Sequence, residues 1–407
     1  MSIEIFKFGG TSLKDKRSRK IAAERIKEAV NKKIRPVVVV SAIGREGSNY
    51  ATDTLIKLAE ESYPKLKNRE KDLIMSCGEV ISAVIMVQNL RKKNIEASGL
   101  TGAQAGILTD EKYNNSTVIN INPENILKLL NKDIIPVIAG FQGISKNGEI
   151  TTLGRGGSDI TASIIGAGLS AEKINIFTDV SGLLTGDPKV INKANFLKTA
   201  DYKEACELAY QGAKVIHPSA AEIAMKNEIP IEIRSTFNNK EGTIIDAVDD
   251  RKKLNPITGL ACRDNIFYTK IRAHQGINYD NGLQVFQLLA DQKVSVDFIN
   301  IKESMISFVI NNEKRQLTEK VLQKNNFDFQ IAEDYIKVSI VGGGMTGQPG
   351  VMAKIVNSLN EVGVKIYQTT DSHIVISCLI KKRDKIKALN ALHDAFNLNK
   401  SEVKKYV

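Results

Sequence analysis

The chain of 407 residues has no tryptophan, only 6% aromatic residues, four cysteines and four histidines. Cys77, Cys206, Cys262 and Cys378 are scattered, with no C-x-x-C and no histidine at ligand spacing. That pattern speaks against a disulfide framework and a zinc site, and for reduced thiols. His217, His274, His373 and His393 are equally dispersed and read as packing or surface residues, so no metal site is expected. No uninterrupted apolar run approaches the roughly 18 residues that span a bilayer, and no membrane association is expected. The strand-like IEIFKFGG begins within a few residues of Met1 and leaves no room for a signal peptide. A cytoplasmic location is the expectation. The formal charge of +11 comes from 57 Lys and Arg against 46 Asp and Glu. The lysines are spread along helical faces, and no basic run is interleaved with aromatics, so no nucleic-acid partner is expected. Attraction of small anions is the secondary reading of that charge. No G-x-x-x-x-G-K-[ST] occurs, which removes a Walker-type loop, and protein-kinase signatures are also missing.

A chain of this length exceeds one ordinary core. From residue 1 to about 245, short β-branched runs alternate with helical patterns: IEIFKFGG, KIAAERIKEAV, RPVVVVSAI, VISAVIMVQNLRKK, DIIPVIAGFQGI and KINIFTDV. Such alternation predicts a mainly parallel sheet covered on both faces. Ligands of such sheets sit beyond the carboxyl ends of the strands, where KFGGTS, SAIGREGS and FTDVSGLLTGDP fall. The charged DAVDDRKKLNP then reads as a linker, over 246–258. Two similar β-α-β-β-α patterns follow, predicted as ferredoxin-like modules over 259–333 and 334–407. The last strand of each comes from FDFQIA or the terminal EVKKYV, and the terminal strand is open to exchange between them. Gly342, Gly344 and Gly347 fit G-x-G-x-x-G, but no further βαβ unit follows them, so a dinucleotide site is not expected.

TTLGRGGSDITA, residues 151–162, packs three glycines, an arginine and a Ser-Asp pair ahead of a helical run. It reads as a tight turn with an N-cap or as an anion cradle at a helix N-terminus. KFGGTS ends the first strand, so backbone amides and Lys7 can meet phosphate oxygens together. FTDVSGLLTGDPKV suits a nucleotide loop and ordinary turn chemistry equally.

The ordered set KFGGTSL, VVVVSAIG, SCGE, GFQG with TTLGRGGSD, FTDVSGL with GDP, and GAKVIHP, followed by paired modules, resembles aspartate kinase over the whole chain. The resemblance implies an α/β protein. Its three-layer α/β/α amino-acid-kinase-like domain would have a mainly parallel central sheet, followed by two ferredoxin-like (βαββαβ) ACT domains. It implies transfer of the ATP γ-phosphoryl group to the β-carboxylate of L-aspartate with Mg²⁺, at the entry to lysine, diaminopimelate, threonine and methionine synthesis. Lys7, Phe8, Gly9, Gly10, Ser41, Thr178, Asp179, Leu184, Asp187, Lys189 and Lys214 would form the ATP site. Thr52, Glu79, Arg155, Gly156, Gly157 and Ser158 would hold aspartate, with Glu79 facing its ammonium and Arg155 a carboxylate. Asp159 would orient Lys7 and Lys214 at the transferring group. An aspartate-family amino acid would act as effector through Met345, Thr346, Gln348, Pro349, Gly350 and Val351, and the ACT domains would pair the chain into a homo-oligomer. The family often has TDVDGVYTADPR where this chain has Ser181, Leu183, Leu184 and Lys189, which touches nucleotide affinity. A kinase for another small substrate and a non-catalytic amino-acid sensor are the competing readings.

Overall fold

The structure is a computed structural model, and it describes residues 2–213, 215–247, 255–272, 279–302 and 304–400. Lys214, the linker stretch 248–254 and the terminal EVKKYV lie outside the described residues. The chain forms two compact units. One comprises Met1–Leu183, Phe196–Tyr210 and Lys214–Asp249, the other Leu184–Asn195, Gln211–Ala213 and Asp250–Val407.

The first unit begins β1 (Ile3–Phe8), α1 (Gly10–Leu13), α2 (Lys16–Asn31), β2 (Arg35–Val40), α3 (Thr52–Ser62) and α4 (Asn68–Arg91). It continues β3 (Ala97–Leu100), β4 (Ile107–Thr109), β5 (Val118–Ile121), α5 (Glu124–Leu130), β6 (Ile135–Ala139), β7 (Gln142–Ser145) and β8 (Ile150–Thr152). After α6 (Gly157–Gly168) and β9 (Lys173–Thr178) come β10 (Thr199–Asp201), α7 (Tyr202–Tyr210), α8 (Pro218–Lys226), β11 (Ile231–Ser235) and β12 (Thr243–Asp246). Eight strands make one sheet in the order β10-β12-β11-β9-β1-β2-β6-β3, parallel except where β11 meets β12.

Successive residues of a strand point to opposite faces, and both faces here are apolar. Ile5, Val37 and Val39 pack on one side with Ala162 and Ile165 of α6 and Ala220 and Ala224 of α8. Phe6, Phe8, Val38 and Val40 pack on the other with Ala22 and Ile26 of α2 and Met86 and Leu90 of α4. The result is the three-layer α/β/α arrangement with a mostly parallel central sheet. A smaller mixed sheet, β5-β4-β7-β8, leads into α6.

The helix α4 is long and apolar enough, by length and composition, to cross a bilayer, which the inspection of uninterrupted apolar runs did not anticipate. Half of that stretch is buried inside the protein, and the helix's inward face carries Asp72 and Glu79 beside Met75, Met86 and Leu90. It is a core helix of the first unit.

The second unit holds β13 (Gly259–Arg263), β14 (Ile266–Arg272), α9 (Tyr279–Asp291), β15 (Asp297–Lys302), β16 (Met305–Asn311), α10 (Arg315–Lys324) and β17 (Asp328–Ala332). Then follow β18 (Tyr335–Val341), α11 (Val351–Glu361), β19 (Gln368–Asp371), β20 (Val375–Lys381) and α12 (Lys385–Ala395). Residues 266–332 close one βαββαβ module, with sheet order β15-β16-β14-β17. The second module has order β13-β18-β20-β19. Its first edge is β13, antiparallel to β18, although the sequence reading counts 259–263 in the first module. All seven residues of β18 are buried, so its backbone groups need a ladder on each side, and β13 supplies one of them.

The G-x-G of this module also has a packing reason. A Cβ at Gly342 would lie 2.0 Å from the Pro256 carbonyl oxygen, so only glycine lets the end of β18 pass the segment entering β13.

Candidate active site

A cleft of about 660 Å³ opens in the first unit, lined by Lys7 of β1, Ser41 just beyond β2, Thr52 of α3, Glu79 of α4 and Arg155–Asp159 around the start of α6. Parallel order puts the carboxyl ends of β1 and β2 side by side, which is why residues 34 positions apart meet. Lys7 is 9% exposed, and its Nζ lies 2.5 Å from Asp159 Oδ1. The second oxygen, Asp159 Oδ2, accepts the backbone N–H of His217 at 3.3 Å. Burial lowers the His217 imidazole pKa, favouring its neutral form. Asp159 therefore holds the lysine from the first turn of α6.

The turn ahead of α6 explains the glycines of LGRGGSD. Gly156 has φ of +74° and leaves the helix without a side-chain N-cap. A Cβ there would lie 2.2 Å from the His217 ring. The Gly157 and Asp159 N–H groups bond the Gly154 and Gly156 carbonyls, and no side chain caps the end. Ser158 sits in that first turn, 8% exposed, while Arg155 is exposed at its rim.

Glu79 is 3% exposed. Its Oε1 accepts the Ala42 N–H at 3.1 Å, and its Oε2 has no hydrogen-bond partner. Burial pushes its pKa up to about 8, against the weaker opposing pull of the Ala42 amide. A buried carboxyl of this kind is completed by a cationic group.

The structure thus gathers Lys7, Gly10, Ser41, Thr52, Glu79, Arg155, Gly156, Gly157, Ser158 and Asp159 around one cleft. Other residues expected in the site do not line this cleft. Phe8 is a core residue, fully buried and stacked on Phe177 with ring centroids 4.6 Å apart, so its side chain is closed to a ligand. Gly9, Thr178 and Asp179 lie beside the cleft at the ends of β1 and β9 and do not line it. Gly9 donates its N–H to the Phe177 carbonyl, and Asp179 pairs with cleft-lining Arg45 at 3.4 Å. Leu184, Asp187 and Lys189 belong to the second unit and are absent from the cleft lining. There Asp187 accepts the Lys189 N–H in a local turn, and Ile191 enters a core with Leu260 and Leu392. Thr185 Oγ1 lies 2.9 Å from His393 Nε2 of α12.

Arg45, Lys71, Asn114 and Phe141 also line the cleft and were not anticipated. Lys71 and Met75 share one face of α4 with Glu79 at i, i+4 and i+8, a spacing that could have pointed to them. Nothing local distinguishes Asn114 or Phe141. The expected effector loop is divided as well. Met345 and Val351 turn their side chains into the core of the second module, 7% and 9% exposed. Thr346, Gln348, Pro349 and Gly350 are exposed, with Thr346 Oγ1 donating to the His373 carbonyl. Among the described residues no group of three or more His, Cys, Asp or Glu is placed to hold a metal ion.

A lysine held at the mouth of a glycine turn, beyond the carboxyl ends of a parallel sheet, is the equipment of enzymes that pass phosphoryl groups to small molecules. Residues 3–235 match the amino acid kinase family, and residues 330–394 match the ACT domain. Aspartokinase 1 of Bacillus subtilis (strain 168) is 42% identical over 405 residues, covering 98% of this chain and 100% of the relative. The solved aspartate kinase of Clostridium acetobutylicum is 26% identical, with a TM-score of 0.75 over 98% of this chain and 100% of its own. E. coli aspartokinase III, 23% identical, shares the fold. Its complex with aspartate and ADP (R-state) gives a TM-score of 0.80 over 97% of this chain and 100% of its own. Its complex with lysine and aspartate (T-state) gives 0.77 over 97% and 99%. The chain belongs to the amino acid kinase family and, within it, to the aspartokinases.

Proposed function

We propose that this chain transfers the γ-phosphoryl group of ATP to the β-carboxylate of L-aspartate, giving 4-phospho-L-aspartate and ADP. The observation that carries the reading is the pairing, in one cleft, of a buried carboxyl with one oxygen unpartnered, Glu79 Oε2, with a lysine–aspartate pair, Lys7 and Asp159. Glu79 receives the substrate ammonium, Thr52 and Ser158 its polar edge, and Arg155 a carboxylate. Gly156 and Gly157 bring the backbone of α6 close. Lys7, Gly9, Gly10, Ser41, Thr178 and Asp179 serve the nucleotide, and Lys214 joins them by resemblance. A β-carboxylate oxygen forms the new bond to phosphorus as the bond to the bridging oxygen breaks, and its electron pair leaves with ADP.

Two anions must approach for this. At 4 Å two unit charges interact by about 4 kcal/mol at an effective dielectric near 20. Lys7 offsets that repulsion, and Asp159 keeps its ammonium aimed. A divalent cation enters with ATP, and we take it to be Mg²⁺. The cleft offers amides, cations and only scattered carboxylates, a donor set suited to a cation that rides on phosphates. It neutralises phosphate charge when bound.

The ACT modules make feedback by an aspartate-family amino acid the regulatory reading. We place the effector at the exposed Thr346, Gln348, Pro349 and Gly350, ahead of α11. We also expect the modules to pair in a homo-oligomer and the enzyme to work in the cytoplasm, at the first step of lysine, diaminopimelate, threonine and methionine synthesis. The free state of all four cysteines fits that compartment.

Hydroxylamine trapping tests the reaction. With ATP and Mg²⁺, the protein should form aspartyl hydroxamate from L-aspartate and not from L-glutamate. Folded protein that binds amino acids and forms no hydroxamate would favour the sensor reading instead.

A further inference from the structure

The mechanism above leaves several buried carboxylates unused, and Asp72 is the most deeply buried of them among the described residues. Asp72 is 0% exposed and lies seven residues before Glu79 on α4. Two helical turns separate them, about 10 Å along one face. Both Asp72 oxygens accept the Asn114 N–H, each at 3.0 Å. Oδ2 also accepts the Thr152 N–H at 2.8 Å, and Oδ1 accepts the Thr152 hydroxyl at 2.9 Å.

These partners belong to the two segments that bound the substrate end of the cleft. Asn114 lines the cleft, with a left-handed φ of +64°. Thr152 ends β8 directly before the Leu153–Asp159 turn that carries Arg155 and Ser158. Gly154 of that turn packs against the Asn114 carbonyl, 3.0 Å from where its Cβ would be. One side chain on α4 therefore ties down both segments of the carboxylate-reading wall, while Glu79 on the same helix presents the ammonium-reading oxygen.

We propose that Asp72 is a positioning residue that sets the separation between Glu79 and the Arg155–Ser158 turn, and thereby the length of acid the cleft accepts. The proposal rests on the aspartate-kinase reading. Burial raises the Asp72 carboxyl pKa despite hydrogen bonds from three donors, the Asn114 N–H and the Thr152 N–H and hydroxyl. A buried carboxylate is poor generic scaffolding, since an apolar residue would pack the same helix more cheaply. Asparagine at this position would face two backbone N–H donors with a donor of its own.

The test compares wild type, Asp72→Asn and Thr152→Val by hydroxamate formation, with KM measured separately for L-aspartate and ATP, and with melting temperatures. Asp72→Asn should raise KM for L-aspartate about 10- to 100-fold and weaken the preference over L-glutamate. KM for ATP should stay within about twofold, because only the acid-binding wall shifts. Thr152→Val, which loses one bond of the clamp, should move the same way by less, and it carries the test if Asp72→Asn does not fold. A lowered melting temperature with both KM values unchanged, or equal rises in both, would overturn the proposal. Wild type that forms no hydroxamate would instead sink the aspartate-kinase reading. Calorimetric L-aspartate binding by wild type and Thr152→Val then decides the clamp, equal affinities overturning it.

Discussion

Lys7 and Glu79 do opposite things with charge. Lys7 is held by a 2.5 Å contact with Asp159, so its side chain is in position before substrate arrives. Lys7→Ala should lower kcat by roughly 10² to 10³, as for other preorganised electrostatic groups, and near-normal turnover would remove it from the mechanism. Glu79 waits for its partner. With a pKa of about 8, it is mostly protonated in the empty cleft at neutral pH. Apparent affinity for L-aspartate should therefore rise as pH approaches 8 and level off above it. Glu79→Gln should flatten that profile and raise KM for L-aspartate about 10- to 100-fold, the cost of one charge-assisted bond. The same carboxyl affects stability with a definite sign. Between its ordinary 4.5 and about 8, the native state holds a proton that the unfolded chain has released. Its contribution to stability falls as pH rises through that window, and melts of Glu79→Gln at pH 6 and 9 should differ less than those of wild type.

At the scale of elements, the start of α6 joins three features in a few residues. The helix end has no side-chain cap, the chain turns with positive φ at Gly156, and the His217 ring approaches that turn closely. Gly156→Ala meets all three at once. The backbone strain alone costs about 1–3 kcal/mol, and the ring or the turn must also give way. Turnover should fall at least tenfold while KM for ATP changes less, measured alongside circular dichroism to confirm the fold. Had the glycine served only chain flexibility, an alanine here would cost stability and leave KM for L-aspartate alone.

The whole molecule divides at Asp249–Asp250, where the sequence changes texture, and also within the chain before it. Segment Leu184–Asn195 interrupts the first unit in the chain and folds with the second. Ile191 is 1% exposed in a core built with Leu260 and Ile336, and Lys193 pairs with Asp394 at 3.1 Å. A fragment ending at residue 247 would therefore keep Ile191, Val190 and Ala194 and lose the side chains that cover them. We expect that fragment to aggregate on size-exclusion chromatography, and Ile191→Ser in the fragment to make it more monodisperse. A monodisperse unmutated fragment would show that this segment finds cover without the second unit.

Much of this architecture can be read from local signals. Strands alternating with helical periodicity announce a parallel sheet, because near neighbours in sequence decide them. The turn chemistry of LGRGGSD announces a helix start, and Glu79, Arg155 and Lys7 were recognisable from the motifs around them. Other features depend on which distant segment satisfies a buried group. Phe8 stands in a glycine-rich motif, yet a strand buried on both faces turns its ring into the core. Met345 and Val351 follow the same logic on either side of an exposed loop. The edge beside β18 is filled by β13 from before the first module, since a fully buried strand accepts any chain long enough to complete its ladder. Asp72 looks in sequence like one more helical carboxylate, and only the approach of Asn114 and Thr152 gives it partners. Turn propensity and periodicity act over a few residues, whereas burial and hydrogen-bond satisfaction are settled between segments 40 to 80 positions apart.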